Sequence, residues 1–208
     1  MITSIPNMLT LLRILLIPLL IVTFFLEGNV WHWIALAVFI LAGITDFFDG
    51  WLARTRGEQS KLGRFLDPIA DKLLVAAIIL MLTAVGRISG FVVLPAVVIL
   101  CREIVVSGLR EFLAELRVSV PVSRLAKWKT AIQMITLGFL IVGQASEPLI
   151  PATLIGEVGL WIAAGLTLFT GYDYMRAGLR HMIEEEAETE AGGKPAAIPE
   201  PAPRRQVG

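Results

Sequence analysis

The sequence predicts an all-α integral membrane protein with six transmembrane helices in a bundle and both termini in the cytoplasm. Composition, six apolar stretches and the placement of the basic residues support this fold class. Of the 208 residues, 56% are hydrophobic and only 17% are charged, whereas ordinary soluble domains carry about 25% charged residues. The 18 basic and 18 acidic residues balance, so the composition does not indicate a nucleic-acid partner.

The apolar stretches define the predicted helices. A helix needs about 20 mostly apolar residues to cross the hydrocarbon core of a bilayer. The N-terminal segment MITSIPN has no basic region of the kind that precedes a cleaved signal, so we expect the first stretch to remain as a membrane helix. Six stretches separated by short links qualify as spans: Met8–Leu26, Trp31–Ala53, Leu66–Val85, Phe91–Phe112, Ala126–Val142 and Pro151–Tyr172.

The basic residues predict the orientation of the bundle. They concentrate between spans two and three, between spans four and five, and after span six, whereas Arg87 is the one basic residue expected on the opposite side. Because short cytoplasmic loops are enriched in Lys and Arg, both termini are predicted to be cytoplasmic.

The end of the chain differs in composition from the rest. After the sixth span the sequence continues with EEEAETE and then with Gly, Pro and Ala, and it offers few apolar residues to bury. We therefore divide the chain into a six-helix membrane domain at residues 1–182 and a disordered cytoplasmic tail at residues 183–208.

Ionisable residues within the spans gather at the cytoplasmic ends. Such residues are costly in a bilayer, so they usually line a cavity or pair with each other. The outer halves of the predicted helices are almost purely apolar, whereas a transporter needs polar groups across the midplane as well. The pattern therefore favours a site open to the cytosol. A cation transporter remains a less favoured alternative.

Residues 46–71, DFFDGWLARTRGEQSKLGRFLDPIAD, contain the most informative pattern. The first acidic pair and the small residues that follow it recur at helical spacing, so they share one helix face, and the second acidic pair shares a face of the next helix. Pro68 is predicted in the first turn of that next helix. The link between the two helices is long enough for them to run antiparallel. One pocket then combines Asp46, Asp49, Gly50, Ala53, Arg54, Asp67 and Asp71.

Four carboxylates in one pocket would repel each other unless cations compensate them. Oxygen ligands suit Mg²⁺ or Mn²⁺, and two such ions could clamp a pyrophosphate for in-line displacement. The small Gly50 and Ala53 would let a base or a phosphate approach the helix, and Arg54 could contact phosphate. The alternative is that the acids only pair with neighbouring basic residues at the membrane interface.

The spacing D-x2-D-G-x2-A-R-x8-G-x3-D-x3-D, from Asp46 to Asp71, resembles the signature of the CDP-alcohol phosphatidyltransferase family. The resemblance covers about residues 4–180 and implies a six-helix enzyme that works as a homodimer. It implies that Asp71 is the general base and that Gly50, Ala53 and Arg54 contact the CDP moiety. It also implies a site for two divalent metals, held by Asp46, Asp49, Asp67 and Asp71.

Two further segments bear on the acceptor alcohol. Arg102 and Arg110 stand eight residues apart in span four, about 80° around the helix, and Lys127 and Lys129 open span five. Together they predict a basic pocket for an acceptor that carries its own phosphate. Alternatively, the lysines only follow the positive-inside rule and Arg102 pairs with Glu103 or another acid.

These segments resemble those of the bacterial phosphatidylglycerophosphate synthases within the family. The R-E-I-x-V-x-x-L-R-E pattern is present, and so is G-K-x-K-T with Ala126 in place of Gly. The resemblance implies transfer of a phosphatidyl group from CDP-diacylglycerol to sn-glycerol 3-phosphate in the bacterial inner membrane. Arg102, Arg110 and Lys127 would hold the acceptor phosphate.

The N-terminal segment fits the same group of enzymes. Its P-N-x-L-T-x-x-R pattern ends at Arg13, and by the resemblance Asn7 and Thr10 would border the nucleotide pocket. Another phosphorylated polyol, or phosphatidylglycerol, stays open as the acceptor.

Overall fold

The computed structural model describes residues 5–56, 61–115, 124–147 and 149–190. Within these ranges the chain is helical and has no strand. Two short 3-10 turns, at Gly90–Val92 and Gly143–Ser146, precede the fourth helix and follow the fifth. The six helices are α1 (Ile5–Thr23), α2 (Asn29–Arg56), α3 (Lys61–Ala84), α4 (Val93–Glu115), α5 (Arg124–Val142) and α6 (Ala152–Glu190).

The apolar surface of these helices is that of a membrane protein. By length and composition, three of the described helical segments can cross a bilayer, at Asn29–Gly50, Gly90–Ala114 and Ala152–Arg180, and Asn7–Thr23 is a shorter apolar helix. Large apolar side chains such as Leu15 stay exposed around the bundle. The all-helical architecture is confirmed. The crossing of the membrane by all six helices and the side on which the termini lie stay predictions.

Two boundaries differ from those that the apolar stretches indicated. Pro68 does not lie in the first turn of its helix, because α3 begins at Lys61 and Pro68 lies inside it. That prediction was wrong because the helix starts before its apolar run, in a charged segment. At the other end of the chain, α6 runs to Glu190, beyond the boundary predicted at residue 182. The division into domain and tail stays a prediction, and residues 191–208 lie outside the described part of the chain.

The core forms where the six described helices meet. Its centre consists of aliphatic side chains, among them Leu20, Leu82, Leu140 and Leu160, which are almost completely buried. The most extensive helix contacts are those of α5 with α6 and of α1 with α2, while α4 packs mainly on α6. This packing brings the N-terminal parts of α1 and α3 and the C-terminal part of α2 to one end of the bundle. The acidic residues lie at that end.

Arg87 connects helices at the opposite end of the bundle. It follows α3, and its guanidinium donates hydrogen bonds to the carbonyl oxygens of Leu140 and Ile141 in the last turn of α5. It also lies 2.6 Å from Nε2 of His32 and 5.8 Å from the ring centre of Phe24. A cation here satisfies helix carbonyls that have no partner within their own helix. Burial lowers the pKa of the Arg87 guanidinium.

Glycines allow α5 and α6 to approach closely. A methyl group at Gly156 would come within 2.6 Å of Cδ2 of Leu140, and one at Gly159 would overlap Thr136. Small residues at helix contacts are the usual means of tight packing in membranes. A methyl group at Gly165, on the same helix, would meet nothing within 4 Å.

We expect Gly156→Ala to destabilise the protein by about 1–3 kcal/mol, because the added methyl overpacks the contact between α5 and α6. Gly165→Ala is the matched control and should leave stability unchanged or raise it slightly, since alanine favours helix. The measurement is the thermal unfolding of both purified variants in detergent. Equal melting temperatures for the two variants would contradict the close contact at Gly156.

Candidate active site

The structure brings the four predicted aspartates together between α2 and α3. Asp46 interacts electrostatically with both Asp67 and Asp71, and Asp49 interacts with Asp46 and Asp67. Asp49 is buried, whereas the side chain of Asp46 is 49% exposed. Because α2 and α3 are consecutive helices, the two acidic pairs can lie in one cluster although they are about 20 positions apart in the sequence. We call these four residues the acidic cluster.

Arg13, from α1, is the central partner of the acidic cluster. Its side chain is fully buried, with Nη1 2.7 Å from Oδ1 of Asp46 and Nη2 in an ion pair with Asp49. No role for Arg13 was predicted from the sequence. The available signal was the presence of a lone arginine in an apolar span, at the same depth as several acids.

Thr10 lies one turn before Arg13 and contacts the same cluster. Its hydroxyl donates a hydrogen bond to Oδ1 of Asp67 at 2.6 Å and lies 3.5 Å from Oδ2 of Asp49. Asn7 precedes it by a further turn and is also buried. The predicted role of Asn7 and Thr10 in bordering a nucleotide is untested, but the structure places Thr10 directly against the acids.

The donor chemistry of the acidic cluster fits a divalent cation, although its present arrangement does not. Carboxylate oxygens are the ligands that Mg²⁺ and Mn²⁺ prefer. Among the described residues, however, no three acidic, histidine or cysteine side chains are grouped closely enough to hold one ion. Arg13 supplies the positive charge between Asp46 and Asp49 instead.

The remaining signature residues follow the first acidic pair along α2. Gly50 comes directly after Asp49 and is partly buried. Ala53 and Arg54 continue the helix, but their side chains lie outside the described part of the structure, as does the side chain of Lys127 in α5. Their predicted contacts with CDP or with the acceptor phosphate therefore stay predictions.

An apolar groove of about 790 Å³ runs between α2 and α5. Asp46, Asp71 and Arg13 lie at one end of it, and Trp33 and Ile150 lie toward the other. Between these ends the lining is aromatic and aliphatic, and it includes Phe39, Ile40, Phe47, Met134, Ile135 and Phe139. The groove can hold extended hydrocarbon with a charged group at the acidic cluster.

A second, polar pocket of about 460 Å³ lies between α3, α4 and α5. Arg102 and Arg110 line it, as the sequence predicted. Arg102 is held from α6, because its Nε donates to the carbonyl of Thr167 and its Nη2 to the hydroxyl of Thr170, both at 3.2 Å. The other charged lining residues are Asp71, Lys72, Glu103, Glu111 and Lys129.

Lys129, which the sequence placed in the basic pocket without assigning it to the acceptor phosphate, lines this pocket. It is buried and forms an ion pair with Glu103, whereas Arg102 lies 3.8 Å from the same carboxylate. The sequence suggested Glu103 only as a partner for Arg102.

Asp71 lines both the apolar groove and the polar pocket, and among the other described residues only Thr130 does so. A carboxylate at this junction can reach a lipid-linked group on one side and a charged, water-soluble molecule on the other. The arrangement therefore suits group transfer between two substrates of different polarity.

We expect Arg13→Gln to destabilise the protein by about 3 kcal/mol or more in the presence of chelator, because it leaves two clustered carboxylates without their cation. Arg176→Gln, at an exposed position of α6, removes the same charge and should change stability little. Thermal unfolding in detergent measures both. An unchanged melting temperature for Arg13→Gln would show that the ion pairs do not support the fold.

Comparison with known proteins agrees with this geometry. The model of the CDP-alcohol phosphatidyltransferase family matches residues 3–169. Similar proteins include the CDP-diacylglycerol–glycerol-3-phosphate 3-phosphatidyltransferases of Rickettsia felis, Pseudomonas fluorescens and Cereibacter sphaeroides. The first is 47% identical over 84% of this chain and 94% of its own length. The second is 44% identical over 86% and 92%, and the third is 38% identical over 88% and 99%.

The matched segment contains the acidic cluster, Arg13 and the charged residues of the polar pocket. It also contains five of the six helices completely and the first part of α6. The chain therefore belongs to the CDP-alcohol phosphatidyltransferase family.

Proposed function

We propose that the protein transfers the phosphatidyl group of CDP-diacylglycerol to sn-glycerol 3-phosphate, giving phosphatidylglycerol phosphate and CMP. The observation that carries this proposal is the position of Asp71 between the apolar groove and the polar pocket with its two arginines. Each cavity matches the chemistry of one substrate. The similar bacterial proteins are named after the same two substrates.

The apolar groove suits the donor lipid. Its aromatic and aliphatic lining can cover acyl chains, and its polar end at Asp46 and Arg13 is proposed to bind the pyrophosphate. In this proposal Gly50, Ala53 and Arg54 contact the CDP moiety. Thr10 orients Asp67 through its hydrogen bond.

The polar pocket suits the acceptor. Arg102 and Arg110 supply guanidinium groups that match the geometry of phosphate, and Lys127 is proposed to join them. The contacts of Arg102 with Thr167 and Thr170 hold its guanidinium in place before the substrate binds. An uncharged acceptor would gain little binding energy from the basic side chains of this pocket.

Asp71 is proposed to be the general base. It takes the proton of the 1-hydroxyl of glycerol 3-phosphate, whose oxygen attacks the phosphorus that carries the diacylglycerol, and CMP leaves. Asp46, Asp49, Asp67 and Asp71 would hold two divalent ions, Mg²⁺ or Mn²⁺, which supply positive charge to the pyrophosphate. Occupation of this site would require Arg13 to yield part of its contact with Asp46 and Asp49.

The proposed substrates also imply where in the cell the site lies. We place the site at the cytoplasmic face of the bacterial inner membrane, where glycerol 3-phosphate is dissolved and CDP-diacylglycerol lies in the inner leaflet. The apolar outer surface of the helices supports insertion in a bilayer. A six-span topology with both termini cytoplasmic and a homodimeric state complete the proposal.

Purified protein supplied with CDP-diacylglycerol and Mg²⁺ should release CMP when glycerol 3-phosphate is added, and a chelator should stop the release. Inositol phosphate, serine and phosphatidylglycerol serve as comparison acceptors and should support little release. If one of these replaces glycerol 3-phosphate as the best acceptor, the proposed acceptor is wrong and the donor chemistry stands. Release with none of the acceptors contradicts the transferase proposal.

Asp71→Asn should lower the transfer rate by at least about a hundredfold, because an amide cannot accept the proton of the attacking hydroxyl. The variant should elute and melt like the wild-type protein in detergent. Asp173→Asn, at an exposed position of α6, is the control and should retain activity. Full activity in Asp71→Asn would assign the base to another residue.

A further inference from the structure

The polar pocket contains a carboxylate that attraction of a phosphate does not explain. Glu103 lines the pocket with its side chain 18% exposed. A negative charge beside Arg102 weakens the attraction of the pocket for an anion. A carboxylate in this position can, however, accept a hydrogen bond from a ligand that also presents a donor.

Glu103 is held in a fixed position. Oε1 forms an ion pair with Lys129 of α5 and lies 3.8 Å from Nη1 of Arg102. None of the described residues forms a hydrogen bond or an ion pair with Oε2 of Glu103. Glu111, the other pocket carboxylate on α4, lies two turns further along the helix and is exposed.

The proposed acceptor has a matching group, and this step rests on the proposed function. sn-Glycerol 3-phosphate presents a phosphate, a reacting 1-hydroxyl and a 2-hydroxyl that stays free. The phosphate binds Arg102 and Arg110, and the reacting hydroxyl binds Asp71. The 2-hydroxyl is a donor that still lacks an acceptor. A hydrogen bond from a hydroxyl to a carboxylate is among the stronger kinds in proteins.

We propose that Glu103 binds the 2-hydroxyl of the acceptor and so selects glycerol phosphate over phosphates that lack this hydroxyl. Arginines, Asp71 and Glu103 then make three different contacts around the central carbon. Three different contacts also distinguish sn-glycerol 3-phosphate from its mirror image. Lys129 is the positioning residue that orients the Glu103 carboxylate.

The test compares sn-glycerol 3-phosphate with 3-hydroxypropyl phosphate, which lacks only the 2-hydroxyl. The full-length protein in detergent with CDP-diacylglycerol and Mg²⁺ is assayed for CMP release, and kcat/KM is determined for each acceptor. Wild-type protein should prefer glycerol phosphate by about 10- to 100-fold, the range expected for one hydrogen bond to a charged group. Glu103→Gln should reduce this preference at least fivefold, because a neutral amide oxygen binds the hydroxyl less strongly.

Glu111→Gln is the matched control, since it neutralises the other carboxylate of α4 in the same pocket. Its preference between the two acceptors should equal that of the wild type, whatever its overall rate. A wild-type preference retained in Glu103→Gln would overturn the proposal and leave Glu103 as a partner of Lys129 only.

The wild-type measurement keeps the proposal testable if Glu103→Gln does not fold. Near-equal use of the two acceptors by the wild-type protein overturns it without any variant. Absence of release with glycerol 3-phosphate itself is a different result, because it contradicts the proposed function rather than the role of Glu103.

Discussion

The buried guanidinium of Arg13 compensates the charge of two carboxylates that the fold places side by side. Asp46 and Asp49 belong to the same face of α2, and Asp67 and Asp71 approach them from α3. Moving such charges out of water costs several kcal/mol per ion unless partners replace the lost hydration. Arg13 and Thr10, both on α1, are two of these partners. The packing of α1 against α2 and α3 is therefore also what makes the acidic cluster tolerable.

The same rule applies to the rest of this end of the bundle. Glu103 is paired with Lys129, and Arg102 is bound to α6 through Thr167 and Thr170. Each contact joins two helices, so the polar residues that form the candidate site also fix the relative positions of α4, α5 and α6. At the opposite end Arg87 serves a similar purpose by joining the loop after α3 to α2 and α5. Between the two ends the core is aliphatic.

The helical class and the acidic pairs could be predicted because they depend on local spacing. Apolar runs of membrane length indicate helices whatever their packing, and Asp46 with Asp49 must share a helix face at a separation of three residues. The contacts of Arg13 and Lys129 could not be predicted in this way. They depend on which faces of distant helices meet, and local periodicity carries no information on that. Pro68 was misplaced for a related reason, since a helix can continue through charged residues at a membrane surface.

The position of Asp71 on the boundary of two cavities has a kinetic consequence. A lipid and a water-soluble molecule can each occupy a cavity of its own, and neither has to displace the other. Both can therefore be bound at once, in either order, with the shared carboxylate between them. Such a layout corresponds to a ternary complex rather than to an enzyme that must release one product before it admits the second substrate. It also means that the supply of lipid and the supply of solute can limit turnover independently.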